Sequence, residues 1–260
     1  MQLNKYRPFR SIIQKQTTIG SWITIANPAI AEIMARAGFD WLVLDMEHSA
    51  MDISDAEAMI RTIDLCGVNP LVRVTENDSG HIKRAMDSGA YGVIVPMVNS
   101  PEEARQAVAA MNYAPKGTRG MGLARAQGYS LDIKEYQEFL AHESALIVQI
   151  EHIDAVKRLD DILAVPGVHG FFVGPYDLSA SMNIPGEFDH PDFKSAMNTI
   201  GKLTHKYLAG FHVVPPNTKM VDQRIGEGFR FVAYSTDFLL LGENCRKDVK
   251  TLRASHRGAK

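Results

Sequence analysis

One joint recurs four times along the chain: AGFDWLVL at 37–44, SGAYGVIV at 88–95, GVHGFFVG at 167–174 and EGFRFVAY at 227–234. Each sets a glycine where a helical pattern stops, then runs into apolar residues. Glycine is favoured there because the residue past a helix end adopts a left-handed backbone that a Cβ disfavours. A short apolar run after such a stop reads as a strand buried on both faces. Strands of this kind, joined through helices, lie parallel. The joint therefore constrains the chain to an alternating α/β fold.

The alternation continues between the joints. Strands are expected at 19–25, 41–44, 70–74, 92–95, 146–150, 170–173, 210–214 and 231–234. Asn27 before Pro28 reads as a helix start, and Ser54 with Glu57 and Ser100 with Glu103 read as capping boxes. An extra helix is expected at about 133–142 and a final one at about 236–254. The longest irregular stretch, 113–129, is rich in Gly and Arg. Eight strand–helix units fit a closed (β/α)₈ TIM barrel, with an open doubly wound sheet as the alternative. No linker breaks the chain, so residues 1–260 read as a single barrel domain.

Composition excludes several classes. A net charge of −2 offers no footprint for nucleic acid or an anionic membrane. No apolar run approaches a membrane span. The two cysteines, Cys66 and Cys245, form neither a metal nor a redox spacing, which suits buried or incidental thiols in a reducing cytoplasm. The basic N-terminus, MQLNKYRPFRSIIQKQ, lacks the pattern of a transit helix and reads as a short capping segment.

In a barrel of this type the active site lies at the C-terminal strand ends. Asp45, Glu47 and His48 follow the second strand and Arg73 ends the third. Gln149 and Glu151 belong to the fifth, and Asp177 follows the sixth. Gln149 and Glu151 are two apart and share a face. Each residue alone has a plainer reading: Asp177 as a helix cap, Glu151 as a first-turn acid, His48 as a surface residue, Arg73 as a structural partner for an acid. Several polar groups converging on one buried edge favour use over accident.

Two carboxylates, with a Gln oxygen beside them, suit a hard divalent cation such as Mg²⁺ or Mn²⁺, with Co²⁺ a further candidate. A 2-keto acid would complete the shell, and the cation would stabilise its enolate. Arg73 would add positive charge beside the oxyanion. His48, oriented by Asp45, is a candidate general base. No lysine falls inside an expected strand, which argues against Schiff-base and pyridoxal phosphate chemistry. The loops PPNTK and STD lack a Gly-rich phosphate site, and no nucleotide-binding glycine pattern appears.

The motifs FDWLVLDMEHS, PLVRV, VIVPMVNSPEEA, YAPKGTRGMG, LIVQIE and FFVGPYDLSASM together resemble the HpcH/HpaI aldolase family, the metal-dependent class II pyruvate aldolases. The likeness spans nearly the whole chain. It implies a lyase that cleaves a 4-hydroxy-2-keto acid reversibly to pyruvate and an aldehyde. It implies Glu151 and Asp177 as metal ligands, Arg73 and Gln149 as contacts to pyruvate, and Asp45 with His48 as an acid–base dyad. Gly174, Pro175 and Tyr176 would wall the keto-acid carboxylate through their backbone, although better-known members carry Ala where Tyr176 stands. Asp87 matches a substrate-binding position and would serve, with Arg125, the site of a neighbouring subunit. A homo-oligomer, trimer or hexamer, with an exchanged terminal helix is implied. Leu239, Leu240 and Leu241 fit that exchange and ordinary barrel closure equally. The alternatives are a CoA-ester lyase of the citrate or malyl-CoA type and an inert barrel used for binding or assembly.

Overall fold

A computed structural model describes residues 6–257. Helix α1 (Arg10–Ile13) precedes strand β1 (Thr18–Ile23). There follow α2 (Pro28–Ala35), β2 (Trp41–Asp45), α3 (Ile53–Leu65), β3 (Asn69–Arg73), α4 (Ser79–Asp87), β4 (Gly92–Val95) and α5 (Pro101–Met111). A 3₁₀ segment, Arg125–Ser130, leads into α6 (Ile133–His142) and β5 (Ala145–Ile150). Then come α7 (Ile153–Lys157), α8 (Leu159–Leu163), β6 (Gly170–Val173), α9 (Pro175–Ser181), α10 (Pro191–Gly201), β7 (Ala209–Val213), α11 (Thr218–Gly226), β8 (Phe231–Thr236) and α12 (Asp237–Arg257). The eight strands pair in chain order, all parallel, and β8 closes on β1. The sheet is a closed barrel, not the open alternative.

The recurring joint works as its chemistry requires. Gly38, Gly89, Gly167 and Gly228 have φ between +94° and +100°, the left-handed region. Helix starts follow the caps read from the sequence with two corrections: at α5 Ser100 accepts from the Glu103 N–H, but the Glu103 carboxylate accepts from Asn99 and closes no box, and α3 has a different cap. Asp52, not Ser54, caps α3: its carboxylate accepts from the N–H groups of Ser54 and Asp55, and Asp55 returns the bond to Asp52. An aspartate two residues upstream satisfies the first turn, leaving Ser54 inside it. Helix α9 is an addition. It was not among the expected elements; Pro175 supplies a fixed φ at its first helical position.

The barrel floor is plugged from the N-terminus. Phe9 and Ile13 are buried, and Phe9 packs edge-on against Phe231 at 6.5 Å. This is the capping segment expected there; residues 1–5 lie outside the described residues. Cys66 and Cys245 are exposed and unpaired, so the buried reading of these thiols fails. Among the described residues no helix is long and apolar enough to cross a membrane.

Gly20 in β1 pairs in register with Trp41 in β2. The indole lies fully buried where a Cβ would sit, stacks on Phe231 at 4.0 Å and donates to Thr18 Oγ1. Gly20→Ala should therefore cost about 1–3 kcal/mol through overpacking. A urea midpoint unchanged from wild type would refute this account of the floor.

Candidate active site

The C-terminal mouth is assembled around Arg73. Its place follows from register: Asp45 ends β2 directly opposite Arg73 at the end of β3. The guanidinium grips Asp45 with both prongs, Nε to Oδ1 at 2.9 Å and Nη2 to Oδ2 at 2.6 Å. Both side chains are buried. Arg73 Nη1 also lies 3.2 Å from Glu47 Oε2 and 3.5 Å from Gln149 Oε1. Its flat face sits over the Trp22 indole at 4.5 Å. One cation thus links four elements of the mouth.

Glu151 leaves β5 buried. Its Oε1 accepts the Met97 backbone N–H at 2.7 Å, and its Oε2 accepts from the Gln149 amide nitrogen. Gln149 is therefore oriented by charge, nitrogen toward the carboxylate and oxygen toward the guanidinium. That corrects the expectation of a Gln oxygen as a third cation ligand. Gly174, after β6, leaves the space this needs: a Cβ there would stand 2.9 Å from Glu151 Oε2.

Asp177 lies in the first turn of α9 and is exposed. It makes no hydrogen bond or ion pair among the described residues and is not a helix cap. Strands β5 and β6 are adjacent and parallel, so Glu151 and Asp177 rise from the same edge. Asp177 is close enough to help raise the Glu151 pKa, after burial, the main cause.

The Asp45–His48 dyad takes a different form from the one expected. Asp45 Oδ1 accepts from the backbone N–H groups of Glu47 and His48, each at 3.1 Å, and not from the imidazole. The bidentate pair with Arg73 occupies both oxygens. Asp45 shapes the loop that carries His48. The carboxylate nearest the ring is Glu47, with Oε2 3.8 Å from His48 Nε2, and the ring is largely exposed. Burial pushes the Glu47 carboxyl up to about 7; Arg73 opposes this, and Glu151, Asp45 and Asp177 add to it.

Asp87 stands away from this mouth, at the end of α4. It accepts from Arg119 Nη2 at 2.5 Å and from Gln127. Arg125 pairs with Asp64 at 2.7 Å and bonds the Ser88 carbonyl. Neither serves the site of its own barrel.

Trp22 and His212 join the site without having been singled out in the sequence. Each lies inside an apolar strand, two residues from a glycine on the same face: Gly20 for Trp22 and Gly210 for His212. A histidine in such a run was the available signal. With Phe172, Val214, Pro175 and Tyr176 they wall a cavity of about 170 Å³ that also touches Arg73, Gln149, Gly174 and Asp177.

The donor set fits a divalent cation. Asp45, Glu47, Glu151 and Asp177 face a single guanidinium, so four carboxylates against one cation leave three negative charges in excess when all are ionised. Hard carboxylate oxygens are the preferred donors for Mg²⁺-like ions. Among the described residues no group of three His, Cys, Asp or Glu could hold a metal. Two carboxylates would serve, leaving the remaining positions to water and substrate.

A closed parallel barrel with a buried, acid-rich C-terminal mouth carries its polar groups where barrel enzymes carry their active sites. The pattern of the HpcH/HpaI aldolase/citrate lyase family matches residues 18–242. The chain belongs to that family and is a carbon–carbon lyase. It is 41% identical over 243 residues to a hydroxypyruvate/pyruvate aldolase of Sagittula stellata, covering 93% of this chain and 95% of that protein. It is 36% identical over 238 residues to a 2-keto-3-deoxy-L-rhamnonate aldolase of Klebsiella pneumoniae, covering 90% and 88%. Among solved structures, an HpcH/HpaI aldolase/citrate lyase family protein from Burkholderia cenocepacia aligns with a TM-score of 0.88 at 30% identity, covering 94% of this chain and 99% of that one.

The raised Glu47 pKa has a sign that can be tested. The folded state holds the proton more tightly than the unfolded chain does. Stability from this group is therefore present below the ordinary carboxylate range and lost as pH rises through about 7. In chelator-treated protein, Glu47→Gln should gain on wild type by on the order of 2 kcal/mol between pH 5 and pH 8. Equal stability differences at the two pH values, from urea denaturation, would contradict the burial of Glu47.

Proposed function

We propose that the protein catalyses reversible aldol cleavage of a 4-hydroxy-2-keto acid to pyruvate, or a close relative of pyruvate, and an aldehyde. The observation that carries this reading is the Arg73 hub. A buried guanidinium, held by Asp45 and flanked by Gln149, faces a small cavity that Asp177 also lines, with Glu151 buried behind it against the Gln149 amide. The aldolase names of relatives that match over most of both chains support it.

Glu151 and Asp177 would hold a divalent cation, Mg²⁺ or Mn²⁺. When bound, that ion supplies Lewis-acid polarisation of the keto oxygen. Arg73 stabilises the negative charge that builds on the same oxygen. Gln149 orients the keto acid, and the backbone of Gly174, Pro175 and Tyr176 receives its carboxylate. In cleavage, His48 at the cavity rim takes the proton of the C4 hydroxyl. The C3–C4 bond breaks, and its electron pair moves into the C2 carbonyl to give the enolate. The aldehyde departs, and C3 takes a proton to give pyruvate. None of the eight strands carries a lysine, so no strand offers an amine for a Schiff base.

The enzyme is read as a homo-oligomer, because Asp87 stands apart from its own mouth and α12 runs on beyond the barrel with Leu241, Val249 and Leu252 exposed, and as cytoplasmic, because its thiols Cys66 and Cys245 are unpaired.

Wild-type protein should exchange the methyl protons of pyruvate with deuterated water, and chelation should abolish this. Persistence of full exchange after exhaustive chelation would refute the metal-dependent reading. Glu151→Gln should weaken divalent-cation binding measured by calorimetry; unaltered affinity would remove Glu151 from the ligand set. Arg73→Lys keeps the charge but loses the two-pronged grip on Asp45. Its kcat should fall by about two to three orders of magnitude, and a near-native rate would reduce Arg73 to a structural partner.

A further inference from the structure

His212 lines the mouth, and the aldol scheme gives it no role. It points inward from β7, stacked on Trp22 at 5.2 Å and 22°, with Phe172 at 6.5 Å. Its Nε2 lies 3.0 Å from the Ser235 carbonyl oxygen. A carbonyl can only accept, so Nε2 carries the hydrogen and Nδ1 presents a lone pair. Burial pushes the imidazole down to about 4, with Arg73 lowering it further, and the ring is neutral at ordinary pH. The anchor is firm: Ser235 is buried and holds a left-handed backbone, φ +55°. Turning the ring would withdraw a donor from a buried carbonyl. Nδ1 has no hydrogen-bond partner among the described residues, yet its ring lines the cavity shared with Arg73, Gln149 and Gly174.

The wall around His212 is otherwise Trp22, Phe172 and Val214. A fixed neutral acceptor in an apolar wall has one evident use, to receive an O–H from the substrate. We propose that His212 Nδ1 accepts a hydrogen bond from a substrate hydroxyl next to the reacting carbons, making His212 a specificity determinant for hydroxylated substrates. This inference rests on the aldolase reading above. The hydroxyl has two possible sources, C3 of a hydroxylated keto acid or C2 of a hydroxylated aldehyde. A site built to bond a hydroxyl discriminates against the analogue that lacks it, because the acceptor is then left facing an apolar part of the substrate.

The test uses the metal-loaded full chain and four substrate pairs: pyruvate or hydroxypyruvate, each with acetaldehyde or glycolaldehyde. Wild type should favour the hydroxylated partner by about tenfold or more in kcat/KM. The keto-acid and aldehyde arms separate the two sources. His212→Phe preserves stacking on Trp22 but removes the acceptor, and should erase that preference. His212→Asn places an amide oxygen near the former Nδ1 and should restore much of it. A wild type that turns over all four pairs without preference would overturn the inference alone, and that comparison needs no variant. So would a preference that survives in His212→Phe. A wild type inactive on all four pairs would overturn the aldolase reading, and this inference with it.

Discussion

The site depends on a single buried ion pair. Asp45 and Arg73 are partners in the parallel register of β2 and β3, so the barrel itself brings them face to face. Buried charge is costly unless paired and hydrogen-bonded. Here the pairing is bidentate, and the remaining guanidinium N–H reaches Glu47 and Gln149. The arginine is thereby fixed in position before any substrate arrives. A preset cation at a barrel mouth stabilises developing negative charge without reorganising at the moment of reaction.

The same arrangement leaves the mouth short of positive charge. Arg73 is committed to Asp45, while Glu47, Glu151 and Asp177 remain around it. Burial raises the pKa of both Glu47 and Glu151. A bound cation would instead favour the ionised form of these carboxyls. Cation binding and proton release should therefore be coupled at this site, as is usual where ligands must ionise. The exposure of Asp177 fits this: it stands at the open rim, where an ion and its water could enter.

Much of this was legible in the residues. The joint glycines marked helix ends because left-handed backbone has a strong residue preference, and they supported the count of eight strands; closure of the barrel, against the open alternative, came only with β8 pairing on β1. Glu151 and Asp177 were legible because adjacent parallel strands must end at one edge. What escaped depended on side-chain competition. Asp45 was matched to the His48 ring by sequence spacing, but Arg73, twenty-eight residues on, is the stronger partner for its carboxylate. Gln149 was read as an oxygen donor because spacing gives a face and not an amide orientation. Trp22 and His212 hid in apolar strands, where ring-on-ring packing across β1 and β7 cannot be seen from either strand alone.

Taken together, the cavity has two unlike halves. The β2, β3 and β5 side is charged, built of Arg73, Gln149 and Glu151, and on the proposed reading it would meet the keto-acid end of a substrate. The β1, β6 and β7 side is built of Trp22, Phe172 and His212, whose rings lie within 5.2–6.5 Å of one another. Trp22 joins the halves, carrying Arg73 and His212 over the same indole. On that reading the charged half would meet the groups common to every 2-keto acid, and selectivity would come from the aromatic half and from the rim, where Tyr176 packs edge-on against Phe188 at 5.0 Å. The two walls are not independent, because the ion pair belongs to the charged one and rests on the Trp22 ring of the other.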